Sequence, residues 1–209
     1  MNIAIPVFDG LTALDAVGPA EVLSRLPDAN VRFIAARTGP VRTDTGALTI
    51  VAELAFDQLV NPEVVVVPGG QVTRKLVDDE RILGWLQRAH EGSEWTTSVC
   101  TGSLLLAAAG ILDGLKATTH WLALDLLARY GAHPVSERVV KQGKVITAAG
   151  VSAGIDMALA LSADIAGEQV AQAIQLSIEY DPQPPFDCGS PANAPKEIVE
   201  RLRAAARSR

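Results

Sequence analysis

The sequence predicts an α/β fold in which helices cover both faces of a mostly parallel β-sheet. Short apolar runs alternate with segments of helical periodicity, which is the pattern of parallel strands connected by helices. One run, Val64–Val67, has four valines and ends at Pro68-Gly69-Gly70, as expected of a buried strand that leads into a sharp turn. The apolar fraction of 48% and the length of 209 residues suit one globular domain.

The first half of the chain predicts three strands, two helices and a hairpin. The strands are short apolar runs at residues 3–8, 31–36 and 64–67. The helices have apolar residues at helical spacing and cover residues 16–26 and 80–90. Asp44-Thr45-Gly46 separates two apolar segments, residues 41–43 and 48–52, and therefore predicts a hairpin.

The second half continues the alternation. A short strand is predicted at Trp95–Val99. Gln142-Gly143-Lys144 separates residues 139–140 from 145–147 and predicts a second hairpin. Helices are predicted from their apolar spacing at residues 102–109, 121–130, 152–166 and 168–178.

The domain organisation follows from where this periodicity stops. Residues 1–180 are predicted to form one α/β domain. Residues 181–195 contain five prolines and no periodicity, and a last helix is predicted at 196–206. We expect this tail, residues 181–209, to pack on the same domain.

Composition and charge exclude several classes of protein. The net charge of −6 argues against a nucleic-acid partner, because it leaves phosphate repulsion uncompensated. No apolar run is long enough to span a membrane, and the N-terminus lacks the basic region of a signal peptide. The two cysteines, Cys100 and Cys188, are expected to be reduced thiols in a cytoplasmic protein. Three scattered histidines predict no metal site.

Cys100 is the candidate nucleophile. It follows a predicted strand and precedes a predicted helix, with the small residues Ser98 and Gly102 two positions to either side, as a nucleophile elbow requires. The start of a helix should lower the pKa of the thiol, and the N–H of Thr101 could bind developing negative charge. A buried structural cysteine remains the alternative interpretation.

A reactive thiol needs a group that transfers protons, and two candidates stand out. Asp15 follows the first strand among apolar residues, where it could be a carboxyl of raised pKa beside the sulfur or simply the N-cap of the following helix. His120, at the start of a predicted helix, could line the pocket or have a local capping or packing role. The sequence leaves these alternatives open.

Five segments together resemble the ThiJ/PfpI superfamily, in its order and across residues 3–180. They are Leu14-Asp15-(three residues)-Pro19, Val65-Val66-Val67-Pro68-Gly69-Gly70, Ser98-Val99-Cys100-Thr101-Gly102-Ser103, Ala117-Thr118-Thr119-His120-Trp121 and Gly150-(three residues)-Gly154-Ile155-Asp156. Within the superfamily, Asp15, the Cys100-Thr101 pair and Glu179-Tyr180-(three residues)-Pro184-Pro185-Phe186 resemble the isocyanide (isonitrile) hydratases.

The resemblance implies a flavodoxin-like sandwich of the class I glutamine amidotransferase type and a homodimer. It also implies a cofactor-independent hydro-lyase that converts organic isocyanides to N-substituted formamides. Cys100, Asp15 and Thr101 would be its catalytic residues, and Gly70, Gly150, Val151 and His120 would bind the substrate. As a hypothesis, the Cys100 thiolate attacks the isocyanide carbon and forms a covalent thioimidate, which water then hydrolyses.

At two positions this sequence differs from other branches of the superfamily, and these differences argue against the activities of those branches. Thr101 stands where the related proteases have histidine, and Asp15 stands where the glyoxalase-like and redox-chaperone branch has glutamate. We expect no room for the helix-turn-helix pair of related transcription regulators. A glyoxalase-like enzyme, an oxidant sensor that uses Cys100 and a small-molecule binding protein remain alternatives.

Overall fold

Most of the predicted strands belong to one central sheet in the computed structural model, which describes residues 1–207. In chain order the strands are β1 (Asn2–Pro6), β2 (Asn30–Ala35), β3 (Gly39–Arg42), β4 (Thr49–Ala52), β5 (Leu54–Ala55), β6 (Val64–Val67), β7 (Trp95–Val99), β8 (Lys116–Ala117), β9 (His133–Pro134), β10 (Val139–Gln142) and β11 (Val145–Ala148). Seven of them form a sheet in the order β10-β11-β7-β6-β1-β2-β5. Every neighbouring pair in it is parallel except β10 and β11, which confirms a mostly parallel sheet.

Both predicted hairpins are present as antiparallel pairs, β3–β4 and β10–β11. The β10–β11 hairpin lies at one edge of the central sheet, whereas β3 and β4 form a separate two-stranded sheet. The sequence did not predict three two-residue strands. They are β5 at the other edge of the central sheet and the parallel pair β8–β9.

The number of helices is close to the number that the sequence predicts, but several helices begin or end at other residues than predicted. They are α1 (Ala13–Leu23), α2 (Thr73–Leu76), α3 (Glu80–Gly92), α4 (Gly102–Ala108), α5 (Leu124–Leu127), α6 (Ala153–Ala166), α7 (Glu168–Ser177) and α8 (Lys196–Arg207). The helix expected at 121–130 is instead α5 between two 3₁₀ turns, because Ala123 N–H bonds the His120 carbonyl three residues back. Within the described residues, no helix has the length and apolar character to cross a membrane.

Helices cover both faces of the central sheet because the side chains of each strand alternate between the faces. Val64 and Val66 of β6 pack in a cluster with residues of α1 and α6. Val65 and Val67 point to the opposite face and pack with residues of α3, α4 and α5. All four valines are fully buried. The arrangement confirms the predicted flavodoxin-like α/β sandwich.

The chain divides into two compact units after Ile178. The first, Met1–Ile178, contains the central sheet and α1 to α7. In the second, residues 182–195 form neither helix nor strand, and α8 follows them. Asn193 Nδ2 donates to Asp187 Oδ1 within that segment at 2.9 Å. The packing of residues 181–209 on the first domain stays a prediction, and residues 208–209 lie outside the described residues.

Candidate functional site

The carboxyl ends of β1, β6, β7 and β11 bring four loops to one edge of the sheet. Thr12 N–H donates to the Gly69 carbonyl at 2.9 Å, which joins the loop after β1 to the loop after β6. Cys100 N–H donates to the Ala149 carbonyl at 2.9 Å, which joins the loop after β7 to the loop after β11. Ligands of open parallel sheets bind at this edge, so the four loops define the candidate site.

Cys100 occupies the predicted elbow between β7 and α4. Its φ of +55° lies in the left-handed region, where a side chain is strained and where functional residues concentrate. A Cβ on Gly102 would overlap the carbonyl oxygen of Val67, so the close approach of α4 to β6 requires glycine there. The backbone geometry of an elbow is therefore present.

The sulfur of Cys100 is almost entirely buried, with 5% of the residue exposed. Burial, with a smaller contribution from the negative charge of Asp15, raises the pKa of the thiol from 9.0 to about 12. The N–H groups of Val151 and Thr101 favour the ionised sulfur and oppose this rise only in part. The expected lowering of the thiol pKa by the helix start is therefore wrong, because desolvation exceeds the contribution of the local N–H groups. The resting form near neutral pH is the thiol.

Asp15 lies beside Cys100 in the first turn of α1 and is fully buried. Gly69 N–H donates to its Oδ2 at 2.9 Å, whereas Oδ1 has no hydrogen-bond partner among the described residues. Burial raises the pKa of Asp15 from the usual 3.8 to about 7, although the Gly69 N–H and the Cys100 thiol act against this rise. The thiol interacts with the carboxyl without forming a well-aligned hydrogen bond to Oδ1.

The alternative that Asp15 caps its helix is wrong. Helix α1 begins at Ala13, three residues earlier than predicted, and its N-cap residue is Thr12. The carboxyl of Asp15 bonds the neighbouring loop at Gly69 rather than an N–H of its own helix. Pro19, four residues after Asp15, has no N–H to donate to the Asp15 carbonyl. Asp15 therefore faces the site and the thiol.

Thr101 holds the loop after β6. Its hydroxyl donates to the Gly70 carbonyl at 2.9 Å and accepts the Gly70 N–H at 2.9 Å. The hydroxyl also lies within reach of the Cys100 sulfur, but its single proton is directed to the Gly70 carbonyl. Both polar groups of Gly70 are thus used inside the protein, so a role of Gly70 in substrate binding stays a prediction.

Gly150 and Val151 belong to the loop after β11, which meets the elbow at Cys100. Val151 has φ of +38°, which is a rare and costly conformation for a β-branched residue. It directs the Val151 N–H at the sulfur of Cys100. A Cβ on Gly150 would lie 2.7 Å from Cδ2 of His120, so only glycine allows the His120 ring to approach this loop.

His120 has a local role and also contacts the site loop. Its Nδ1 accepts the Leu122 N–H at 3.3 Å and so caps the following 3₁₀ turn. Burial, with a smaller contribution from the charge of Arg74, lowers the pKa of His120. The ring is therefore neutral near pH 7 and carries its proton on Nε2. Capping and packing against Gly150 are both present, while substrate binding by His120 stays a prediction.

Two hydroxyl groups that the sequence analysis did not single out hold the elbow. Thr119 Oγ1 donates to the Cys100 carbonyl at 2.9 Å, and Ser103 Oγ donates to the same oxygen at 3.1 Å. Ser103 and Thr119 both belong to segments that carried the family resemblance, which was the available signal. Their donors satisfy a carbonyl that the strained turn leaves outside the regular helix.

The arrangement combines a thiol, a carboxyl that titrates near neutral pH, and N–H groups directed at the sulfur. Such a set can form and break a bond at sulfur while one proton moves between sulfur, carboxyl and ligand. No group of three or more His, Cys, Asp or Glu side chains suitable for a metal occurs among residues 1–207.

The family model described as "DJ-1/PfpI family" matches residues 1–164. The chain belongs to the DJ-1/PfpI family. This agrees with the predicted superfamily, because ThiJ/PfpI is another name for it. Members of the DJ-1/PfpI family differ in the share of this chain that they match and in their sequence identity to it.

The isonitrile hydratase of Pseudomonas putida is 42% identical over 203 residues, which is 97% of this chain and 89% of the relative. The HTH-type transcriptional regulator CdhR of Pseudomonas aeruginosa is 30% identical over 180 residues, which is 84% of this chain and 52% of the regulator. The crystal structure of a ThiJ/PfpI family protein from Pseudomonas syringae superposes with a TM-score of 0.96 at 37% identity, over 99% of this chain and 86% of that one.

Drosophila melanogaster DJ-1beta superposes with a TM-score of 0.78 over 87% of this chain and 98% of that one. At 19% identity this similarity supports the DJ-1/PfpI fold alone.

Proposed function

We propose that this DJ-1/PfpI protein hydrates organic isocyanides to N-substituted formamides, with Cys100 as nucleophile and no cofactor. The observation that carries the proposal is its 42% identity to the isonitrile hydratase of Pseudomonas putida over 97% of the chain. The pairing of Cys100 with a buried carboxyl supports it, since the reaction needs a soft nucleophile and a group that both gives and takes a proton.

In the first step, the sulfur of Cys100 forms a bond with the terminal carbon of the isocyanide. The ionised Asp15 carboxyl takes the thiol proton and delivers it to the same carbon. The product is a thioimidate, in which the former isocyanide carbon is bonded to sulfur, to hydrogen and, by a double bond, to nitrogen. Because the proton that leaves sulfur is consumed by the substrate, this step does not require a stable thiolate. A thiol of raised pKa is therefore compatible with the chemistry.

In the second step, water adds to the thioimidate carbon and its nitrogen becomes protonated. The ionised Asp15 takes a proton from the attacking water and passes it to that nitrogen. The tetrahedral species then collapses by breaking the C–S bond, and the hydroxyl proton returns to the sulfur. The sum is one isocyanide and one water converted to one N-substituted formamide. A carboxyl with a pKa of about 7 suits both directions of proton transfer.

Backbone groups of the loop after β11 and of the elbow would support these steps. The N–H groups of Val151 and Thr101 lower the pKa of the thiol, and they would stabilise the negative charge that develops as the thiol proton leaves. The Gly150 and Val151 N–H groups are the proposed partners of the substrate nitrogen. Gly70 and His120 are proposed to shape the space beside it. Thr101 acts chiefly by fixing Gly70.

A ligand-binding role is the second candidate, because one observation favours it. The regulator CdhR is 30% identical over 84% of this chain, so a similar domain occurs in a transcriptional regulator. A sensor would bind an isocyanide or another small electrophile at Cys100 without releasing a product. Repeated turnover therefore separates the two candidates.

A cytoplasmic homodimer is the proposed assembly. Leu14 and Val17 of α1 are 41% and 40% exposed, although both are apolar and lie on one side of the helix. Such residues would be covered in a dimer formed through α1. The catalytic thiol must stay reduced, and the cytoplasm provides that condition.

The test is conversion of an aryl isocyanide by the purified protein, with the formamide quantified by chromatography. We expect many turnovers per protein with the native chain and none with Cys100→Ala or Cys100→Ser, because neither variant has a thiol. Intact mass spectrometry of the native protein should detect an adduct heavier by one isocyanide. Release of less than one formamide per protein would contradict the enzyme and favour the sensor, while turnover of methylglyoxal instead would favour a glyoxalase-like enzyme.

A further inference from the structure

The carbonyl group of Cys100 is held by hydroxyl groups from two different segments. Ser103 Oγ donates to its oxygen at 3.1 Å, and Thr119 Oγ1 donates to the same oxygen at 2.9 Å. Ser103 belongs to α4, the helix that begins at the elbow, so its bond moves with the elbow. Thr119 belongs to the segment after β8, and its bond ties the elbow to a separate part of the domain.

The segment that carries Thr119 is itself fixed. The neighbouring Thr118 N–H donates to Thr147 Oγ1 on β11 at 2.9 Å, and both neighbouring threonines are 1% exposed. One residue earlier, the Ala117 carbonyl accepts the Val135 N–H at 2.9 Å. A hydroxyl on a segment anchored in this way restricts the direction of the carbonyl that it bonds.

The bond from Thr119 acts on the peptide group between Cys100 and Thr101. A peptide group is planar, so the direction of the Cys100 carbonyl also sets the direction of the Thr101 N–H. On the other side of the same Cα, the Cys100 N–H donates to the Ala149 carbonyl at 2.9 Å. Both peptide groups that flank this Cα are therefore held, which maintains the strained φ of +55°.

The Thr101 N–H faces the site. Thr101 is the N-cap residue of α4, where no preceding turn of helix supplies a carbonyl for its N–H. A Cβ on Gly69 would lie 2.5 Å from the Thr101 nitrogen and 2.9 Å from Asp15 Oδ2, so this nitrogen and the carboxyl border the same small space. The same N–H favours the ionised form of the Cys100 sulfur.

We propose that Thr119 is a positioning residue: its hydroxyl fixes the Cys100 carbonyl and thereby directs the Thr101 N–H at the sulfur. The inference rests on the proposed function, in which that N–H stabilises the negative charge that develops as the thiol proton leaves. Thr119 acts through the shared peptide group rather than on the substrate.

The chain offers a matched set of variants. Thr119→Val removes the hydroxyl and keeps the size of the side chain, whereas Thr119→Ser keeps the hydroxyl and removes the methyl group. Thr97→Val is the control, because Thr97 is fully buried in β7 and its Oγ1 donates to the Val65 carbonyl at 3.0 Å. It removes the same kind of bond from the sheet instead of the elbow. Thermal unfolding checks that each variant is folded, and Thr119→Ala replaces Thr119→Val if the valine variant is not.

The first readout is the rate at which iodoacetamide modifies Cys100 at pH 8, measured by mass spectrometry with Cys188→Ser in every protein. A thiolate that loses a well-directed N–H is less stable, so a smaller fraction of the thiol is ionised. We expect Thr119→Val to react about three- to tenfold more slowly than the native residue, a part of the contribution of one hydrogen bond to a charged group. Thr119→Ser and Thr97→Val should react at nearly the native rate.

The second readout is steady-state hydration of an aryl isocyanide. Thr119→Val should lower kcat by about 10–100-fold with KM nearly unchanged, because the N–H serves a charge that develops only during the reaction. Thr119→Ser should retain most of kcat, and Thr97→Val should change neither constant.

The inference is overturned if folded Thr119→Val is alkylated as fast as the native protein or faster, or if Thr97→Val or Thr119→Ser slows alkylation equally. Alkylation needs no isocyanide, so failure of this inference is distinguishable from failure of the proposed reaction.

Discussion

The Asp15 carboxyl is anchored to the loop after β6 by one hydrogen bond, in which the Gly69 N–H donates to Oδ2 at 2.9 Å. The second oxygen, Oδ1, is buried without a hydrogen-bond partner among the described residues. A buried carboxylate oxygen without a donor is costly, so this geometry favours the protonated carboxyl until a ligand or water supplies a partner. The first two predictions follow from this arrangement.

The first prediction is that Asp15→Asn folds but lowers isocyanide turnover by about 10²–10⁴-fold, the usual contribution of a positioned acid or base. Asparagine keeps an oxygen that can accept the Gly69 N–H, and it matches aspartate in shape. It cannot take the thiol proton. The measurement is steady-state formamide production, with thermal unfolding as the control for folding.

A matched control is Asp125→Asn, which changes an exposed carboxyl in the first turn of α5 and should leave turnover near the native rate. Near-native turnover by folded Asp15→Asn would show that Asp15 does not transfer the proton. His120 would then be the next candidate, and His120→Gln would be tested in the same assay.

The second prediction concerns stability as a function of pH. The pKa of Asp15 rises from 3.8 to about 7 on folding, so the folded protein binds this proton more tightly than the unfolded chain. Native stability is therefore lost as pH rises from about 4 to about 7, and Asp15→Asn escapes this loss. The variant should gain about 2–4 kcal/mol relative to the native protein across this range.

Urea unfolding of both proteins at pH 5, 6, 7 and 8 measures this difference. Each protein gives a curve of the free energy of unfolding against pH, and the two curves are subtracted. The subtraction removes contributions that the proteins share, including those of His90 and His120, whose pKa values are lowered by burial. A difference that does not change with pH would contradict the raised pKa of Asp15.

The third prediction separates the hydroxyl of Thr101 from its methyl group. Thr101→Val removes the two hydrogen bonds with Gly70 and leaves the buried Gly70 N–H and carbonyl with less than their full set of partners. We expect a loss of about 1–3 kcal/mol in stability and lower turnover. Thr101→Ser keeps the hydroxyl and should retain most of both. Equal loss in the two variants would contradict this prediction, because it would show that the methyl group contributes as much as the hydroxyl.

The sequence was sufficient for six of the seven strands of the central sheet and for the elbow, and it missed only β5. The four valines of Val64–Val67 predicted a strand buried on both faces, and the structure packs alternate valines into two separate clusters. The small residue Gly102 predicted a tight turn after Cys100, and a Cβ there would overlap the Val67 carbonyl. In both cases a steric requirement restricts the residue type, so the requirement is visible in the sequence.

The electrostatics of the site could not be predicted in the same way. The sequence places Cys100 before a helix, which suggests a lowered thiol pKa, but the extent of burial is a property of the packed core and reverses the direction. Whether Asp15 caps α1 or faces the site depended on the residue at which α1 begins. The helix begins after Thr12, whose N–H bonds the Gly69 carbonyl on another loop. Such long-range contacts leave no local pattern.

The fourth prediction is that a charge at Val17 yields a monomer. Val17→Glu places a carboxylate on the exposed apolar side of α1, and a dimer formed through that side would have to bury it. Leu176→Glu, at a residue that is 79% exposed on α7, is the control and should stay dimeric. Sedimentation at micromolar concentration measures both. A native chain that sediments as a 22.0 kDa monomer would contradict the dimer itself.

The fifth prediction is that iodoacetamide modifies Cys100 slowly near neutral pH, and that the modification rate continues to increase with pH rather than reaching a plateau. Burial raises the pKa of this thiol to about 12, so its thiolate fraction is small and still increases between pH 8 and pH 10. Cys188 is exposed, and we expect it to react at least about tenfold faster at pH 8. The rates are measured by mass spectrometry in Cys188→Ser and Cys100→Ser, each of which leaves a single thiol. A rate for Cys100 that is constant from pH 6 to pH 9 would indicate a thiolate already formed at neutral pH, and attack on the isocyanide would then need no base.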